Sequence, residues 1–416
     1  MTTPRKMPSL GPFRGVSNRR EDFSLGSKEG DFLKQAENID ITNAGSLKRR
    51  RGAALVVATG DGHSLYGSEF GSFYADGHTL YRVFGDDGVE RATIRQFDGV
   101  TPHVLPDNKL LSYSHDGVST IFTDSLANWR ITEDDRAAPL GPPPISIVPA
   151  LSVDAAGALL PGVYKIAFVQ TDFDGRESAC DSQQITAPAN GRILVTGLPA
   201  AFPTWVNSII VYVSDLNGDV LYRSVELLTA ASTMQIVVAP SGGGRCMTLN
   251  LSPMPAGEII RFVNGRSLTA LDKFVFYSEP WAPHLYDLGF IPMPAPVTML
   301  EVVPLGIFIG TEDRTYFLPG DPATADLQEV KPYGVVPRTS QRMPDNTSCW
   351  WFSTRGACIG AQDGQVTNLQ EEEVFVDAAR IGASLTREQD GVRQLITGLF
   401  DSTPAATKVG SFMVAD

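Results

Sequence analysis

The chain has 416 residues, 43% apolar and only 19% charged, with 39 glycines, 29 prolines and a formal net charge of −13 at pH 7. That apolar share supports a large core, and the length allows two or three ordinary domains. The acidic balance argues against a protein that grips nucleic-acid phosphate broadly; it fits plain solubility, or a wall past which DNA slides without sticking.

In chain order, residues 1–13 lack the apolar stretch of a secretory signal, which predicts synthesis in a cytoplasm. Residues 1–35 form an N-terminal arm with little apolar periodicity, marked by Arg14, Asn18, Arg19, Glu21 and Asp22. It reads as an extended arm that docks on a neighbouring subunit, or as plain terminal disorder. Residues 36–52 then read as one hairpin. Ile39 and Ile41 alternate with polar residues, Asn43-Ala44-Gly45 supplies the turn, and Leu47 opens a basic return strand through Lys48, Arg49, Arg50 and Arg51. Those cations could contact DNA phosphate or an acidic neighbouring subunit. They could equally belong to a solvated edge strand that discourages unwanted pairing.

A strand–turn–strand unit recurs from there on. It reads at residues 73–81, 111–122, 275–286, 307–318, 350–359 and 395–414, with no convincing amphipathic helix between. Uninterrupted copies recur at roughly the forty-residue period of four-stranded propeller blades. One such hairpin cannot bury its apolar face alone, whereas stacked blades cover both faces. Aromatic residues such as Phe73, Phe276, Phe308, Phe317 and Trp351 would fill the layers between blades. The reading is therefore an all-β fold, a β-propeller, with an ordinary sandwich or barrel as the alternative. No run reaches the ~18 apolar residues of a membrane helix.

The series is interrupted after Pro139, Pro142, Pro143 and Pro144. Strand-like segments around Val163, Ile193, Ile209, Leu221 and Ile236 then follow at the spacing of a β-sandwich, with a fibronectin type III-like pattern. Gly242-Gly243-Gly244 leads back to the repeats. The expected layout is an arm (1–35), a first propeller part (36–144), an inserted sandwich (145–243) and a second propeller part (244–416).

Chemistry-bearing signals are sparse. Glu371, Glu372 and Glu373 form an acidic run that would repel DNA on a channel-facing loop and be merely solvated on an outer one. None of the acidic clusters has EF-hand spacing, so neither a metal nor a cofactor is expected. The five histidines sit in no HExxH motif and beside no nucleophile elbow. Asp76, Asp116 and Asp313 occupy hairpin turns, where aspartate more often shapes the turn than acts as an acid. The chain is therefore read as a non-enzyme. Cys180, Cys246, Cys349 and Cys358 form no CxxC pair; Cys349 and Cys358 flank a hairpin and could face each other, but free buried thiols are the favoured state.

The stretch AENIDITNAGSLKRRRG at 36–52, with the hairpin series behind it, resembles the opening of tail nozzle, or packaged-DNA stabilisation, proteins of short-tailed bacteriophages. The resemblance is close over the N-terminal hairpin and extends to the rest only as architecture. A similar basic stretch opens the first blade in that family, often followed by Pro-Gly; here Arg51 is followed by Gly52-Ala53. The resemblance implies a virion tail protein forming a homo-oligomeric ring, six copies or another order, around a DNA channel. It implies docking to a tail adaptor or connector above, fibres or a tip below, and transient contact with packaged double-stranded DNA. Two other readings stay open: a carbohydrate-binding adhesin or glycosidase propeller, for which Trp129 and Trp281 could stack on sugars, and a tail-tip or hub protein of a long-tailed phage.

Overall fold

A computed structural model describes residues 12–17, 26–27, 30–33, 39–41, 46–49, 59–68, 70–84, 90–106, 109–240, 242–376, 381–389, 392–400 and 410–415. The chain divides into two compact units, a central one over Val56–Pro292 and a terminal one made of Met1–Leu55 and Met293–Asp416. Among the described residues every regular element is a strand. The fold is all-β, of β-propeller type, and its unit of construction is the antiparallel four-stranded blade.

The central unit holds three such sheets. The first runs Gly62–Ser68, Gly71–Asp76, Thr79–Phe84 and Glu90–Thr93. The second runs Ser112–His115, Thr120–Thr123, Asn128–Ile131 and Arg136–Pro139, with Arg95–Gln96 added in parallel at its outer edge. The third is built from Ile259–Val263, Arg266–Leu271, Phe274–Tyr277 and Phe290–Pro292. Turn chemistry fixes the register. Val263 pairs with Arg266 across Asn264-Gly265, both at positive φ (47° and 80°), the backbone of a tight hairpin whose twist suits its strands.

Consecutive sheets meet through their apolar faces. Phe73, Leu80, Tyr113, Phe122 and Ile131 join the first to the second. Ile121, Leu140 and Ile260 join the second to the third.

The terminal unit repeats the plan. One blade runs Val297–Val303, Gly306–Thr311, Thr315–Pro319 and Gln328–Lys331; the next runs Gln341–Arg342, Cys349–Ser353, Gly356–Gly360 and Val366–Asn368. Phe308 and Trp351, both fully buried, close the layer between them with ring centroids 5.3 Å apart. Glycine makes this approach feasible: a Cβ on Gly360 would sit 2.6 Å from the Phe308 ring. A third sheet pairs Ile381–Gln389, Val392–Phe400 and Gly410–Ala415. Val336, Phe352, Ala357 and Val374 pack it, through Leu399, onto the blade before.

Five of the six hairpins read from the sequence pair as expected. The copy at 275–286 does not. Phe274–Tyr277 pairs with Arg266–Leu271 on one side and Phe290–Pro292 on the other, while Leu285–Tyr286 pairs with Ser252–Pro253. The hairpin turn of Phe274–Tyr277 is made at Asp272 (φ 50°); Pro280-Trp281 turns too, bridging Glu279 to Ala282, without bringing Leu285–Tyr286 back onto Phe274–Tyr277.

Between the second and third central sheets the chain forms a two-sheet sandwich. Ala150–Leu159, Gly191–Thr196 and Thr233–Ile236 make one sheet. Gln183–Ala187, Gly162–Thr171, Ser208–Ser214 and Leu221–Leu227 make the other. Tyr164, Ile166, Phe168, Ile193, Val195, Ile209 and Val211 alternate inward along these strands and fill the space between the sheets.

Both ends of the sandwich segment meet one residue. The Asn128 carbonyl accepts the Leu140 amide, and its side-chain amide donates to the carbonyls of Met254 (3.1 Å) and Pro255 (2.9 Å).

Candidate functional site

The terminal unit carries the charged segments singled out by sequence. Ile39–Ile41 pairs with Leu47–Arg49 as a two-stranded hairpin, placing Asp40 opposite Lys48. Lys48 and Arg49 are exposed; Arg50, Arg51 and Arg19 lie outside the described residues. Arg14 falls on Phe13–Val16, which pairs in parallel with Gly30–Leu33. This part of the N-terminal segment is therefore sheet and not an extended arm. Ser17, fully buried, donates its hydroxyl to the Glu373 carbonyl at 3.3 Å and its amide to Leu33 at 2.8 Å. The fold thus brings the N-terminal segment to the acidic run of the same chain.

That acidic run closes a turn, with the amides of Glu373 and Val374 both donating to the Gln370 carbonyl. It borders an open groove of about 630 Å³ together with Arg355 and Asn368. Lys331 Nζ stands 3.6 Å from the Glu371 carboxylate. The same ammonium and the Arg355 guanidinium lie over the Tyr333 ring, 5.8 and 5.4 Å from its centroid. Asn368 Nδ2 donates to the Tyr333 hydroxyl at 2.9 Å. The local field is thus mixed: one glutamate is answered by a lysine and Glu372 is left exposed.

Among the described residues the densest buried charge lies elsewhere, in the central unit, where the sandwich meets the second blade. Arg130, on Asn128–Ile131, projects from the blade and is 4% exposed. Its guanidinium donates to Asp172 at 2.9 Å and to Asp174 on the sandwich turn after Gly162–Thr171. Asp172 Oδ1 also accepts the amides of Asp174 and Arg176, so the turn that presents the carboxylate is held by it. Arg176 donates to the Leu140 carbonyl at 2.8 Å and lies 3.7 Å from Asp116. Burial and the neighbouring Arg130 pull the Arg176 pKa down, while Asp172 and Asp116 push it back up. His284 Nε2 donates to the Glu177 carbonyl at 2.8 Å, and the Tyr212 hydroxyl donates to the Glu177 carboxylate at 2.6 Å. Burial holds the His284 pKa down to about 4, so the ring is neutral at pH 7 with its proton on Nε2. Phe97 stacks on Phe173 at the edge of this cluster, ring centroids 5.4 Å apart.

The partners of the turn after Gly162–Thr171 were not legible in the sequence. The only local hint is a charge-rich run, Asp172-Phe173-Asp174-Gly175-Arg176-Glu177. Arg130 lies 42 residues from Asp172, too far for any spacing rule.

Of the hairpin aspartates, Asp116 shapes its own turn, whereas the Asp76 bond runs to the start of the adjacent strand. Asp116 accepts the amides of Val118 and Ser119, and Asp76 accepts the amide of Asp61. Of the two tryptophans considered for sugar stacking, Trp129 is half-buried and packs on the core; its indole N–H donates to Asp124, and its ring meets His103 at 4.6 Å. Trp281 is 85% exposed.

No protein-family model matches the chain, and no curated protein matches it. Solved structures share its strand-rich make-up at low similarity. The BBS1 N-terminal domain, solved with ARL6, is 11% identical, with 85% of this chain and 91% of that one covered at a TM-score of 0.34. The Neurospora crassa Pan2 WD40 domain is 10% identical over 81% and 86%, at 0.33. KlHsv2 is 8% identical over 83% and 93%, at 0.27.

Proposed function

We propose that this chain is a structural subunit of a bacteriophage tail, a nozzle-like component. Copies of it would form a ring that extends the DNA channel, helps retain the packaged genome and lets it pass on ejection. The observation that carries the reading is the hairpin Ile39–Ile41 with Leu47–Arg49. The segment bearing the family resemblance pairs strand to strand and presents Lys48 and Arg49 outward. A cationic edge of that kind suits an acidic neighbour in an assembly. The net charge of −13 suits a conduit to which DNA does not adhere.

The partners under this reading are further copies of the chain, a tail adaptor, fibres or a tip, and DNA in passage. The purified chain is expected to be a monomer or weak oligomer that forms rings with its adaptor or at high concentration. Negative-stain images of particles labelled on this chain test the assignment. Label at the tail end supports it; label scattered over the capsid shell overturns it.

A carbohydrate-facing role is favoured by one feature, the exposed Trp281 indole. Glycan-array binding lost in Trp281→Ala would favour it over the tail reading.

A further inference from the structure

The last stretch of the sandwich segment is sewn onto the sandwich itself. Arg223 and Gly244 are joined by an amide–carbonyl bond of 2.9 Å, and the Cys246 amide donates to Leu221 at 3.0 Å. On its other side the Asn250 amide donates to the Cys180 carbonyl at 2.8 Å, and Cys180 bridges Leu249 in parallel. This double stitching lays Cys246 and Leu249 over an apolar patch of Ala167, Val169, Ile210, Tyr212 and Leu221. It also brings two thiols together: Cys180 Sγ and Cys246 Sγ are 3.5 Å apart, with Thr248 Oγ1 at 3.7 and 3.8 Å. Cys180 is buried, and Cys246 is half-buried beside the exposed run Gly242-Gly243-Gly244.

We infer that Cys180 and Cys246 form a thiol–disulfide exchange site that closes into a disulfide when the chain meets a small-molecule disulfide such as oxidised glutathione. The two cysteines have unequal roles. Cys246 is the attacking thiol, because it is reachable from solvent and its thiolate accepts from the Cys180 S–H and the Thr248 hydroxyl, which lower its pKa. Cys180 is the resolving thiol, kept protonated by its hydrogen bond to Cys246 and by burial.

In the first step the Cys246 thiolate attacks one sulfur of glutathione disulfide. The glutathione S–S bond breaks, one glutathione thiolate leaves, and a mixed disulfide forms on Cys246. In the second step Cys180 attacks the Cys246 sulfur. The second glutathione leaves as a thiolate and takes the Cys180 proton. Two protein thiols and one glutathione disulfide become one protein disulfide and two glutathione thiols.

The product fastens the departing segment to its own sheet and closes a loop containing five of the seven sandwich strands. The site is independent of the tail assignment. It differs from the Cys349–Cys358 pairing considered from sequence. There Cys349 pairs with Gly360 and Trp351 with Cys358, and both thiols are fully buried in the inter-blade layer.

The full chain is incubated with oxidised glutathione, quenched with acid, digested and read by mass spectrometry. The expected product is one linked peptide pair containing Cys180 and Cys246, lost in Cys246→Ser and reversed by dithiothreitol. Before oxidation, native-state alkylation with iodoacetamide should label Cys246 at least about tenfold faster than Cys180. A mixed disulfide that persists on Cys246, a Cys349–Cys358 link instead, or no modification at all overturns the inference. Circular dichroism of Cys246→Ser checks that loss of the link is not loss of the fold.

Discussion

The inter-blade layer of the terminal unit and the sandwich–blade junction of the central unit solve the same problem by opposite means. In the first, Met299, Phe308, Phe317, Trp351 and Cys358 meet across two sheets with almost no charge among them. Adhesion there is apolar area, which is non-directional and tolerates sliding until side chains interlock. In the second, Arg130 meets Asp172 and Asp174, and Arg176 meets the Leu140 carbonyl, through directional hydrogen bonds. Bringing those charges out of water costs much of what their attraction returns, so their contribution is to orientation more than to stability. Blades are interchangeable wedges; the sandwich has one permitted seat.

Substitutions that break each contact should separate these two kinds of adhesion. Trp351→Ala removes the largest side chain of the inter-blade layer and should cost about 3–5 kcal/mol in urea unfolding. Arg130→Ala should cost a similar about 3–5 kcal/mol, for a different reason: it leaves the Asp172 carboxylate buried without its cation. The difference shows in rescue. Replacing both partners, Arg130→Met with Asp172→Leu, should recover at least roughly half of that loss. Failure of the double variant to improve on Arg130→Ala would mean that the pair contributes net stability as well as orientation.

His284 sharpens the junction side through pH. Its folded pKa, about 4, lies below the ordinary 6.5, so the unfolded chain binds the proton more readily. The stability this ring contributes is complete above pH 6.5 and is lost as pH falls toward about 4, by about 3 kcal/mol in all. His284→Gln should flatten urea-unfolding free energy over that window relative to the parent chain. Buried His103, also shifted down by burial, adds slope of the same sign.

On the blade side, Gly360→Ala should cost about 1–3 kcal/mol by overpacking the Phe308 and Trp351 rings. Smallest of all, Lys48→Glu on the exposed basic strand should move stability by less than about 0.5 kcal/mol. Any larger effect would have to appear in assembly, not in folding.

The same contrast explains what could be read from the chain before its structure. Blade hairpins were legible because their information is local. Asp76-Gly77 joins two alternating strands a few residues apart, and Phe308 and Phe317 announce buried faces. Ile381–Gln389 was missed because its residues are mostly polar, and its strand identity comes from Val392–Phe400 beside it. The copy at 275–286 was mispaired because Pro280-Trp281 looks like a stronger turn than Asp272-Lys273. The charged junction and the Cys180–Cys246 pair were invisible. Each joins residues tens of positions apart, and nothing in the intervening sequence encodes the meeting. Of the charged residues proposed as contacts, Glu371 turned out to be answered within its own chain by Lys331.

Asn128 receives the chain as it departs for the sandwich and again as it comes home. A single blade residue therefore acts as both doorposts, and the blade strands close without help from whatever lies beyond the doorway. The sandwich is in effect a cassette. Excising it and bridging Leu140 to Met254 with a short glycine-serine graft should leave the host blade able to fold, as its amide-exchange protection would report. A different module spliced at the same spot would inherit the Asn128 mounting but would have to supply its own partners for Arg130.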